Sequence, residues 1–169
     1  MNQIKVIIAA LFLFSSCVEV EFKHPMPPKG KVLETIPSEV INYFTMLEKN
    51  STSGDEIRNI VGGDFDINAP LPKDVVFKKW KGNYYFNQKG ENDNWQVYIV
   101  KPSPNNSYEV YQLDGSNQAT INKLKTITKV EEVFSDNGDL DRIVLDPSFK
   151  EFKKMLKSDA FEKMDLFDN

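Results

Sequence analysis

A single cysteine, Cys17, and a single histidine, His24, lie close together near the start of a 169-residue chain. Nucleophilic catalysis by serine or cysteine needs a histidine-like base within hydrogen-bond reach, and everything after residue 24 lacks one. Zinc favours the same two ligand types and is disfavoured for the same reason. His24 stands beside Pro25, Pro27 and Pro28 in a segment that gives a base no fixed position, so it reads as non-functional. Among oxygen ligands, Asp64, Asp66 and Asn68 alternate like the opening of a calcium loop. Ala69 and Val75, however, occupy the places of its turn glycine and bidentate glutamate. Asp136, Asp139 and Asp141 surround an Asn-Gly turn, where acids ordinarily serve as solvated turn formers. Gly62-Gly63 lacks the lysine and spacing of a phosphate loop. No metal or cofactor is expected, and the 25 acidic residues leave paired-carboxylate hydrolysis open without singling out a pair. The remaining candidates are aromatic: Trp80, Tyr84, Trp95, Tyr98 and Tyr111. Exposed together on a sheet they would stack on sugar rings or form a protein interface; alternatively, they fill the core.

The residues before Cys17 have a different logic. Lys5 precedes an unbroken apolar run from Val6 to Phe14, followed by Ser15 and Ser16. This is the pattern of an export signal, and the run is far shorter than the roughly 20 residues that a membrane-spanning helix needs. The LFSSC sequence resembles the bacterial lipobox, with Phe14 standing where that motif has a smaller aliphatic residue. The resemblance implies removal of residues 1–16 and diacylation of Cys17. The other reading is an incidental thiol behind a standard signal peptide, which would leave an exported chain with one unpaired cysteine. Lipid chains supply the attachment, at roughly 0.8 kcal/mol for each buried CH₂. Loss of Lys5 takes the formal charge from −4 to −5, a balance expected to disfavour both nucleic acid and electrostatic docking on anionic head groups, leaving the anchoring to the lipid.

Residues 17–34, rich in proline, are expected to form an extended tether carrying the lipidated cysteine, with a single domain over residues 35–169. Thr35 and Pro37 open a helix over about residues 37–48, and a second, shorter helix is expected from Asp55 to Val61. From Val75 the β-branched and aromatic residues predict strands at Val75–Trp80, Tyr84–Asn87, Trp95–Ile99, Tyr108–Leu113, Thr126–Phe134 and Arg142–Leu145. Asn137-Gly138 predicts a hairpin between the last two. Ser148 and Glu151 form a capping box for a C-terminal helix whose buried stripe is Phe149, Phe152, Met155 and Leu156. Phe161, Met164, Leu166 and Phe167 are expected to close the domain. The fold class is α+β: an antiparallel meander of five or six strands with N-terminal helices and a C-terminal helix packed on it.

The signal ending at Cys17, the FKHPMPPKGKVLETIP approach, KKWKGNYYFN, NDNWQVYIVK, LKTITKV and IVLDPSFKEFKKMLKSDAF are similar to segments of small outer-membrane lipoproteins of Bacteroidota-type bacteria. The resemblance implies export to the outer membrane, on its periplasmic or surface face, and carries no activity. Val18 rather than Asp after the cysteine agrees with outer-membrane sorting. EVINYFTMLEKNSTSGDEIRNIVGGDF loosely resembles the opening of nuclear-transport-factor-2-like domains, which implies a cone-shaped sheet with a small-ligand pocket. The expected function is a non-enzymatic, lipid-anchored protein that binds an envelope protein or a glycan. A carboxylate-based hydrolase, a small-ligand-binding domain and a structural envelope component are the alternatives.

Overall fold

The computed structural model describes residues 18–43, 71–90 and 92–164. Among the described residues nine strands form one sheet: β1 (Glu19–Phe22), β2 (Lys31–Leu33), β3 (Val75–Trp80), β4 (Asn83–Lys89), β5 (Trp95–Ser103), β6 (Ser107–Leu113), β7 (Val130–Phe134), β8 (Leu140–Leu145) and β9 (Phe161–Lys163). Their order is β2-β3-β4-β5-β1-β8-β7, with β6 joining β5 and β9 joining β6. Helices cover residues 38–43 (α1), Gln118–Ile127 (α2) and Phe149–Met155 (α3).

The α+β class and the mostly antiparallel sheet agree with the sequence reading, while the strands exceed the expected five or six. The β3–β4 turn holds Lys81 and Gly82 at φ 50° and 81°, as a tight two-residue hairpin requires. Asn105 and Asn106 lie in the left-handed region in the β5–β6 connection, and Gly138 does so in the β7–β8 turn. Long β5 pairs along one edge with β4 and divides its other edge. Trp95 faces Phe22 of β1, and Ile99–Ser103 face β6. The sheet therefore forks into a β1-β8-β7 arm and a β6-β9 arm.

Two clusters bury its two faces. Val20, Phe22, Tyr85, Ile99 and Leu145 pack with Ile121 and Leu124 of α2 and Phe152 and Met155 of α3. On the opposite face, Phe77, Tyr84, Phe86 and Val110 pack with Ile36 and Val40. The expected capping box is formed: Ser148 N–H donates to Glu151 Oε2 at 2.7 Å, and Glu151 N–H to Ser148 Oγ at 3.3 Å. Of the expected closing group, Phe161 is buried in β9 and Met164 packs on the second cluster; Leu166 and Phe167 lie outside the described residues. Residues 44–48 of the first expected helix and all of Asp55–Val61 also lie outside them.

Two expectations are overturned. Thr126–Phe134 is not one strand, because α2 runs through Ile127 and β7 starts only at Val130. The carboxamide of Asn117 caps the helix by accepting from the N–H groups of Ala119 and Thr120, and Thr120, Ile121 and Leu124 form its buried stripe. These outweigh the β preference of Thr126, Ile127 and Thr128.

The larger correction concerns residues 17–34, expected to be a tether. Residues 19–22 and 31–33 are strands, and β1 lies inside the sheet between β5 and β8. The chain between them crosses the α2–α3 face and is held by polar groups of the sheet. Asn87, wholly buried, accepts from Met26 N–H at 2.6 Å and donates back to the Met26 carbonyl at 2.9 Å. Lys78 Nζ donates to the carbonyls of Pro25 at 2.8 Å and Pro27 at 3.0 Å. The prolines thus occupy a fixed crossing whose carbonyls have partners. Even Val18 packs on the main cluster, and a Cβ at Gly115 would collide with its carbonyl oxygen.

Removing these partners orphans buried peptide groups, each costing about 1–3 kcal/mol. Asn87→Leu is expected to lose about 3 kcal/mol in urea denaturation and Lys78→Met about 2 kcal/mol, both far above an exposed control such as Lys31→Met.

Candidate functional site

The five aromatic candidates do not share a face. Trp80, Trp95 and Tyr111 pack against the α2–α3 side of the sheet, whereas Tyr84 and Tyr98 belong to the other side. Tyr84 is only 4% exposed and stacks on Phe77 with ring centroids 5.6 Å apart. Burial, and then the charge of Glu19, pushes the Tyr98 phenol up to about 12, and its hydroxyl donates to Gln96 at 3.3 Å. Tyr111 donates to Glu109 and lies under Lys101. A continuous stacking platform is therefore absent among the described residues. The period of two that makes a strand amphipathic also sends neighbouring aromatics to opposite faces.

Acidic chemistry is concentrated on β1. Its alternation puts Val20 and Phe22 into the main core and turns Glu19 and Glu21 to the opposite face. Glu21 is 1% exposed; Asn94 Nδ2 donates to its Oε2 at 3.0 Å, and Arg142 Nε lies 3.6 Å from that oxygen. Arg142 also pairs with Asp141 at 2.7 Å. Beside them, burial raises the pKa of Glu19, the charges of Glu21 and Asp141 add to the rise, and Gln96 and Arg142 oppose it. The result is a Glu19 carboxyl that holds its proton more tightly than usual, two residues from the buried side chain of Glu21. A carboxyl raised in this way can act as a proton donor. Sequence reasoning missed it because Glu19 and Glu21 lay in the expected tether.

A second cluster occupies the β3–β4 corner. Trp80 meets Phe149 of α3 edge-on, with centroids 5.5 Å apart. Lys29 and Lys153 stand over the Phe149 ring at 5.3 and 5.0 Å, and Lys81 over Trp80 at 5.1 Å. None of these three lysines forms an ion pair with a described residue.

His24 is exposed on the crossing segment, 4.0 Å from Asp146 and apart from both clusters. Asp136, Asp139 and Asp141 are exposed in and after the β7–β8 turn. Cys17, together with Asp64, Asp66 and Asn68, lies outside the described residues, as does most of the segment likened to nuclear-transport-factor-2-like domains. Comparison with protein-family models, curated proteins and solved structures returns no match to this chain.

Glu19 yields a pH test. A carboxyl raised in the folded state stabilises most below its ordinary value of 4.5, and that contribution is lost as pH rises through the folded pKa. Glu19→Gln removes the loss, so its melting temperature should exceed that of the parent at neutral pH and approach it near pH 4. Thermal melts across that range check the crossover.

Proposed function

We propose that the protein is a lipid-anchored envelope lipoprotein of the bacterial outer membrane, attached through a diacylated Cys17 after removal of residues 1–16. It acts without catalysis, as a binding or accessory component for an envelope protein or glycan near the bilayer. What supports this reading is the apolar run Val6–Phe14 leading into LFSSC at Cys17; the structure adds only where the chain after it goes. Cys17 precedes Val18 directly, and Val18 is packed against the main cluster. A lipid on Cys17 would therefore be attached to the body of the domain, with its reach limited to the few ångströms of one residue. Among the described residues no helix is long and apolar enough to cross a membrane.

Glu19 and Glu21 favour a second reading, a carboxylate-based hydrolase of envelope glycan with Glu19 as the proton donor. Release of reducing ends by the purified protein, abolished in Glu19→Gln, would support it. Equal release by parent and variant would end it.

For the anchor, Cys17→Ser should abolish incorporation of a fatty-acid label and release the protein from membranes into the soluble fraction. Continued acylation of that variant contradicts the proposal. So does unchanged membrane retention.

A further inference from the structure

Strand direction and register fix where the first described residues enter the sheet. β1 and β4 both run antiparallel to β5, so they start at the same end of the sheet. β4 starts at the Lys81-Gly82 turn. β6 also runs antiparallel to β5 and β8 runs parallel to β1, so the β5–β6 and β7–β8 turns lie at this end too. β1 ends with Phe22 opposite Trp95, so Glu19 is level with Tyr98, about half-way along β5, and the chain enters the domain on an interior strand in the half of the sheet that leads to these turns.

That end is electrostatically lopsided. The β7–β8 side carries Asp136 and Asp139, both exposed, with Asp141 paired to Arg142. On the other side stands the cluster of Trp80, Phe149, Lys29, Lys81 and Lys153, basic in a chain whose formal charge is −4. Aromatic rings flanked by lysines suit the boundary between headgroups and acyl chains: rings settle at the interface while ammonium groups reach phosphates.

We propose that this β3–β4 corner is a docking face for an anionic phospholipid surface. Resting on the Cys17 anchor described above, it tilts the domain so that the lysine corner meets the bilayer and the acidic β7–β8 turn is lifted away. The lipid holds the protein on the membrane, and the corner sets its orientation.

The two tryptophans provide an internal control. Trp80 belongs to the corner, whereas Trp95 starts β5 at the far end of β4, about 20 Å away along the strand. The acylated protein is reconstituted into phosphatidylethanolamine–phosphatidylglycerol vesicles with nitroxide-labelled headgroups. Trp95→Phe then reports on Trp80, and Trp80→Phe on Trp95. Quenching of Trp80 should be several-fold stronger, and the triple change Lys29→Glu, Lys81→Glu, Lys153→Glu should abolish the difference while the protein still floats with the vesicles. If a tryptophan variant does not fold, a fluorophore on Lys150→Cys, beside Phe149, against one on Asn92→Cys gives the same comparison with Lys29, Lys81 and Lys153 intact, because acylated Cys17 offers no competing thiol. Floating protein with equal quenching at both ends overturns the docking face alone; if it also binds an acidic polysaccharide through these lysines, the corner is reassigned to a glycan. Protein that carries no acyl chain and does not float overturns the anchor reading and the docking with it.

Discussion

The carboxamide of Asn87 faces the backbone of Met26 as a peptide group would, accepting from its N–H and donating to its carbonyl. The same nitrogen lies within hydrogen-bond distance of the carbonyls of Val76 and Tyr85, so the group also joins the crossing segment to β3 and β4. A buried peptide group left without partners would oppose folding, and this side chain supplies them where no strand can. With the crossing fixed, β1 reaches its place between β5 and β8, and β2 reaches the outer edge of β3. The N-terminal contribution to the main core, Val20, Phe22 and Met26, follows from that placement.

Putting a charged segment into the middle of a sheet has a cost, and the compensation is visible. Lys78 is nearly buried, a position that lowers its pKa by desolvation, and its ammonium group satisfies two proline carbonyls. Glu21 is more deeply buried and depends on Asn94 and Arg142. Glu19 is the least compensated member, and its raised pKa records this. Such arrangements are weak sources of net stability but strong constraints on register, because a shifted strand would leave each charge unpartnered. The parallel pairing of β1 with β8, with Glu19 opposite Arg142, fits that role.

Much of the meander could be read from the chain because its signals were local. Alternation marked β3 to β6, Asn-Gly marked the β7–β8 hairpin, and Ser148 with Glu151 marked α3. The errors came where a local signal competed with a distant partner. Val18-Glu-Val-Glu-Phe22 alternates as a strand should, but the nearby prolines suggested an extended tether, and the groups that fix the segment, Lys78 and Asn87, lie more than fifty residues away. For α2, the Asn117 cap outweighed β-branched residues at the helix end. The aromatic platform failed for another reason. Composition records how many rings a sheet carries, but not which face each one takes, and here they divide between two cores.

The consequence for function is a change in mechanical character. With a tether, a lipid at Cys17 would leave the domain free to search the space above the membrane; with β1 in the sheet, the proposed lipid would restrict both position and orientation. Amide hydrogen exchange on the acylated protein in vesicles tests this most directly. Val20, Phe22 and Met26 should exchange as slowly as Tyr85 and Ile99, because all five lie in one cluster. Exchange of Val20, Phe22 and Met26 at the rate of an open chain, with Tyr85 and Ile99 still protected, would contradict the account.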